Sequence, residues 1–314
     1  MKRLVYLVSL LLLIVSWSSM VAKSEEFRVL AAKGETLVQR DGKGSWNKLN
    51  TGNQLFANDN IKISNNAYLG LVHTKGRTME LKKAGTYSAG ILAKELSSKK
   101  TKVSEQLANY LMKEVANKES DGNYKKNMGT PGAVERGMET DASGQKIKLI
   151  ANCPRRLSIM GNTVNFSWSK ATGKDVVYEF IITDRFDRQE FSTKLKENTF
   201  SVDAEALKLS KDVYYFWKVK VSSNEEIRSD EICFSFLSAQ RAASIKETVA
   251  LLKEDIGEEN APAKIILAKF YETNYLPNEA DKAYQDAIKL MPDIDEYQGM
   301  YKEFLLRTNY YTSK

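Results

Sequence analysis

The chain has 314 residues, enough for two or three domains, and its 42% apolar and 28% charged residues are ordinary for globular protein. The net charge is +7, yet apart from Lys99-Lys100-Thr101-Lys102 and Lys125-Lys126 the basic residues are scattered. No basic face with interleaved aromatics emerges, which argues against a nucleic-acid partner. A single histidine, His73, and two cysteines leave no zinc-ligand set. No nucleophile elbow and no phosphate-binding glycine loop occur. No catalytic residue, cofactor or metal is therefore assigned, and an enzyme is disfavoured. A carboxylate pair brought together by folding stays open, because such a pair need not be close in sequence.

Met1-Lys2-Arg3 is a short basic start, and Leu4 to Trp17 is an apolar run with serines at 9 and 16. Small and polar residues follow, including Ala22 and Ser24. This is the three-part pattern of a secretory signal, and residues 1–24 are read as that leader. The run falls short of the ~20 apolar residues of a spanning helix, so contact with a membrane is expected only through an uncleaved leader. The chain is expected to be exported, to the periplasm or outer envelope of a bacterium.

Residues 27–91 alternate short β-rich runs with glycine turns, which predicts a small β module. Gly34, Val38, Trp46, Leu49, Gly52, Leu55, Asp59-Asn60-Ile61, Leu69, Leu71, Gly76 and Leu81 carry a pattern that resembles a FecR-type domain. The resemblance implies a β fold found in exported bacterial proteins and in the periplasmic parts of iron-sensing regulators. A sugar-binding role would use Trp46 and Tyr68 as exposed stacking platforms for cell-wall glycan.

Residues 92–149 read as one helix and a flexible linker. Val103, Leu107, Tyr110, Leu111 and Val115 fall near one helical face. Gly, Asn, Ser, Lys and Glu dominate 118–146.

Residues 150–238 return to period two. Val164, Phe166 and Trp168 alternate with polar residues, as do Tyr215, Trp217, Val219 and Val221. About seven short strands predict a β-sandwich. Trp168, and Leu209 followed by Tyr215-Phe216-Trp217-Lys218-Val219, resemble a fibronectin type III domain. The resemblance implies a tyrosine corner, with Tyr215 bonded back to the preceding turn. It also places Cys153 and Cys233 on neighbouring first and last strands, where a disulfide closes the module; two free thiols are the alternative.

Residues 239–314 change to helical spacing. Leu267, Ala268, Tyr271, Ala280, Tyr284, Ala287 and Pro292 resemble a tetratricopeptide repeat, which spans about 34 residues. The resemblance implies antiparallel helices with a groove for another envelope protein, near Lys264, Tyr271, Tyr275, Lys282 and Gln285. The expected whole is a multidomain chain of two small all-β modules followed by an all-α bundle. The expected function is a non-enzymatic exported scaffold or adaptor, with peptidoglycan or carbohydrate binding through the first module as the alternative.

Overall fold

The structure is a computed structural model that describes residues 25–96, 104–111, 148–257 and 259–308. The expected leader and most of the expected linker lie outside the described residues. Among the described residues no helix is long and apolar enough to cross a membrane.

The first module pairs two antiparallel sheets. One contains β1 (Glu25–Lys33), β4 (Gln54–Phe56), β6 (Tyr68–His73) and β7 (Thr78–Leu81), in the order β4-β1-β6-β7. The other contains β2 (Thr36–Gln39), β3 (Trp46–Lys48), β5 (Asn60–Ile63) and β8 (Gly85–Ser88), in the order β3-β2-β5-β8. Phe27, Val29, Leu69 and Leu71 from the first sheet share a core with Val38, Ile61 and Ile63 from the second. Helix α1 (Ala89–Glu95) adds Ala89, Leu92 and Ala93 to it. Asp59 is buried but satisfied: it accepts from the Phe56 and Asp41 N–H groups at 2.9 and 3.1 Å and from Arg40 Nη1 at 2.6 Å. A buried carboxylate needs such partners.

The second module is a sandwich. β10 (Thr163–Ser167) and β13 (Thr199–Asp203) form one small sheet. The other runs β12-β11-β14-β16-β9, from β9 (Arg156–Ile159), β11 (Tyr178–Asp184), β12 (Gln189–Leu195), β14 (Tyr215–Val221) and β16 (Ile232–Phe236). β15 (Asn224–Arg228) pairs with β14, and β9 joins β16 in parallel. Phe166, Trp168, Phe180, Trp217 and Phe234 stack through the centre with centroids 4.7–6.3 Å apart. The alternation expected for β10 and β14 is therefore the buried face of each strand.

Helices complete the described chain: α2 (residues 104–111), α3 (Ala239–Ile256), α4 (Ala261–Thr273), α5 (Pro277–Leu290) and α6 (Asp295–Thr308). Ser238 caps α3 and Asn260 caps α4, each accepting a backbone N–H three residues on. Pro277 opens α5, where no helical donor is lost. In α2, Leu107 and Leu111 are buried, whereas Tyr110 is 52% exposed and leaves the expected apolar face.

The helices do not stand apart from the β modules. β6 is buried at all six positions. Leu69 and Leu71 fill the inner core, while Tyr68 and Val72 join Leu30 and Ala31 in a second core with α2–α6. Polar groups align this joint. Glu80 Oε1 accepts from the Ala261 N–H at 3.1 Å and the Tyr68 hydroxyl at 2.9 Å. The Tyr68 and Tyr297 hydroxyls are 2.7 Å apart. Thr78 Oγ lies 3.1 Å from the Ile256 carbonyl and 3.0 Å from Asn260 Oδ1. The Ser104 hydroxyl donates to Asp255 at 2.9 Å.

Candidate partner-binding site

Strand register assembles one surface that no local stretch displays. Phe216 of β14 pairs with Cys233 of β16, and Cys233 pairs with Arg156 of β9. Directly paired residues share a face. This face is the outer one, because the neighbours Trp217 and Phe234 point into the core. The row lines a cleft of about 720 Å³, together with Val213, Tyr214 and the turn Asp184–Arg188.

The turn is built by its own residues. Asp184 accepts from the Phe186 and Arg188 N–H groups at 2.8 and 3.0 Å, and Asp187 adopts φ +60°. An aspartate that bonds to the backbone two residues on suits such a turn. Arg188 also donates from its side chain to Asp184 at 2.7 Å. Burial opposes ionisation of Asp184, but these bonds outweigh it and hold its carboxyl below the usual range. Phe186 consequently stands out at the tip, 63% exposed.

Arg156 supplies the other wall. Its guanidinium lies 4.1 Å from the ring centroid of Tyr275 and 4.8 Å from that of Tyr214. It also donates to the Tyr214 hydroxyl. Tyr275 comes from the α4–α5 turn, where it holds φ +59°, and its carbonyl accepts from the Ser158 N–H at 2.8 Å. The helical hairpin thus covers the edge strand β9, an edge that would otherwise invite pairing with another chain.

Cys233 lies half-buried in this cleft, and burial raises its thiol above the ordinary range although Arg156 pulls the other way. Cys153 is in the opposite environment, inside the sandwich core, where burial pushes its thiol up to about 12. The expected Cys153–Cys233 disulfide is not formed; both are free thiols. The strand of Cys233 does run beside β9, but Cys153 lies three residues before β9 with its side chain in the core, whereas Cys233 faces the cleft, and a bridge needs the two side chains to meet.

The expected helical groove is likewise divided. Lys264 pairs with Glu259 at 3.2 Å near the start of α4, whereas Tyr275 lies beyond its other end against Arg156. Gln285 is held by Asp281 and by Tyr301 of α6. Tyr271 is half-buried and packs edge-on to Phe270, and Lys282 is exposed. Lys264 and Tyr275 thus lie at opposite ends of α4. The glycan platform also dissolves: Trp46 is half-buried, and Tyr68 is 3% exposed beneath the helices.

His73 lines a second cavity of about 340 Å³ in the first module. Its Nδ1 accepts from the Lys75 N–H at 3.0 Å and its Nε2 is 3.4 Å from Glu26. Among the described residues no three His, Cys, Asp or Glu side chains are grouped to hold a metal ion.

No protein-family model matches the chain, and no curated protein matches it. Among solved structures it aligns with the crystal structure of chicken CNTN1 FN1-FN3 domains at 9% identity and a TM-score of 0.22. The alignment covers 68% of this chain and 58% of that one, and at such a score it carries no argument about fold or activity.

Proposed function

We propose that the chain is a non-enzymatic adaptor of the bacterial envelope, exported by its leader, that holds a partner protein in the cleft on the outer face of the sandwich, beside the α4–α5 turn. The observation that carries this reading is the concentration of exposed Phe186, Val213, Tyr214 and Tyr275 beside three arginines. Tyrosine, phenylalanine and arginine are enriched where proteins bind one another, and a free surface seldom keeps so many together. Module resemblances add support. The glycine turns fit a FecR-like first module, and the Ser210 N–H donation to the Tyr215 hydroxyl at 2.9 Å fits a fibronectin-like corner. Ala268 and Ala280, buried together in the helical core, fit a tetratricopeptide-like hairpin.

The test is a photo-crosslinking residue placed at position 186 of the full chain in its own cells, with position 62, exposed on β5, as control. A discrete adduct in the envelope fraction from 186 and not from 62 is expected. Equal or absent crosslinking at both positions overturns the reading, and recovery of the protein in the cytosolic fraction overturns its export.

A further inference from the structure

We infer that this cleft takes an acidic segment of the partner, one in which carboxylates alternate with apolar side chains. The inference rests on the adaptor reading above and adds the chemistry of the ligand.

Two guanidiniums point to carboxylates. Arg188 is already satisfied by Asp184, at 2.6 Å. Arg156 and Arg185 have no carboxylate partner among the described residues. Each is instead backed by rings: Arg156 by Tyr214 and Tyr275, and Arg185 by Phe186 at 4.6 Å. Stacking occupies the faces of a guanidinium and leaves N–H groups at its edge; on Arg156 one Nη2 N–H already goes to the Tyr214 hydroxyl, and the remaining edge is the kind that grips a carboxylate with two parallel bonds. Ring backing also restrains the long side chain, so less entropy is lost when a ligand arrives.

The rest of the cleft decides between a peptide and a polyanion. Phe216, Val213, Phe186 and Tyr214 line the same cleft as the two arginines and offer surfaces that favour apolar side chains. Asp184 and Asp212 also line the cleft, and both are held ionised by their partners: Asp184 by Arg188, and Asp212 chiefly by Ser238 with Arg241. A uniform run of phosphates or sulfates would meet those carboxylates. A chain that alternates acidic and apolar residues meets arginine and apolar surface in turn.

The experiment uses the full chain and a fluorescent peptide alternating glutamate with leucine and tyrosine, read by anisotropy. Binding is expected, weakened by salt. Arg185→Gln should raise Kd about tenfold, the size of one charge-assisted bond. Arg185 is exposed and makes no ion pair among the described residues, so the variant is expected to keep the fold; Arg156→Gln should act in the same direction. Replacing every glutamate of the peptide by glutamine should abolish binding. Three results overturn the inference: no binding even at millimolar peptide, equal binding of the glutamine peptide, or tighter binding of polyphosphate. If crosslinking from position 186 still finds a partner, only the ligand chemistry falls. If it finds none, the adaptor reading falls with it.

Discussion

Glu272 sits where α4, α5 and α6 meet. It accepts from Lys269 at 3.3 Å, from the Tyr284 hydroxyl at 3.1 Å and from Arg307 at 2.8 Å, and Lys269 is 2% exposed. Burial pulls its pKa up, but the charges of Lys269 and Arg307 outweigh it and leave the group below the usual carboxylate range. A depressed carboxylate contributes stability above its unfolded pKa and loses it as pH falls through the folded one. The helices should therefore weaken below about pH 4. Glu272→Gln should cost about 2 kcal/mol at neutral pH and flatten that acid limb, read by denaturant unfolding across pH. An unchanged acid limb would place the effect elsewhere. The thiols give a second residue-scale prediction. In protein never exposed to reductant, denaturation should release two titratable thiols, and in the native state Cys233 should react before Cys153. A missing pair would restore the bridge. Residue by residue, the sequence was readable where chemistry is local. Tyr215 and the turn before it are near neighbours in the chain, and their bond forms as expected. The disulfide was not readable, since Cys153 falls outside β9, in the segment leading into it, and turns into the core away from the face that carries Cys233.

At the scale of elements, alternation identified strands whose second face meets water, such as β10 and β14. It failed for β6, because Tyr68, Gly70 and Val72 look like a solvent face until helices cover them. Gly70 is the point of closest approach. A Cβ there would lie 2.6 Å from the Tyr297 hydroxyl, 3.0 Å from that of Tyr68 and 3.2 Å from Pro262. Gly70→Ala should therefore force sheet and helix apart and cost about 1–3 kcal/mol. Tyr297→Phe removes the hydroxyl that the new methyl would strike. The double variant should lose less than the two single variants combined, a coupling that chemical denaturation measures directly. Additive losses would mean that the sheet yields at Gly70 without involving the helix. The cleft was also illegible, because Phe216, Cys233 and Arg156 become neighbours only through pairing of three strands. The one local hint was a phenylalanine inside the charged turn Arg185-Phe186-Asp187-Arg188, an odd place for an apolar ring.

At the scale of the molecule, the helices share a core with the first module, although the sandwich separates them in sequence. A β-to-α succession was legible, and the closing of its two ends on each other was not, since it depends on contacts between Tyr68 and Tyr297 or Thr78 and Asn260. The bundle therefore covers the sheet of the first module, with the sandwich meeting it at the Tyr275 turn. The sandwich keeps a core of its own. Two cooperative units follow, one made of the first module with α2–α6, the other of residues 148–238. Calorimetry of the full chain should show two transitions, and Tyr297→Ala should lower one and spare the other. Deleting residues 239–314 should bare Leu30, Tyr68 and Val72 as a contiguous apolar face, and the truncated chain should aggregate or expose hydrophobic surface to a dye. Residues 148–238 expressed alone should remain monomeric and unfold in a single step. The decisive comparison is the fragment 25–96. If it is soluble and monomeric and unfolds as sharply alone as in the full chain, the shared core contributes nothing to its stability, and the helices are an appendage rather than the second half of one folded unit.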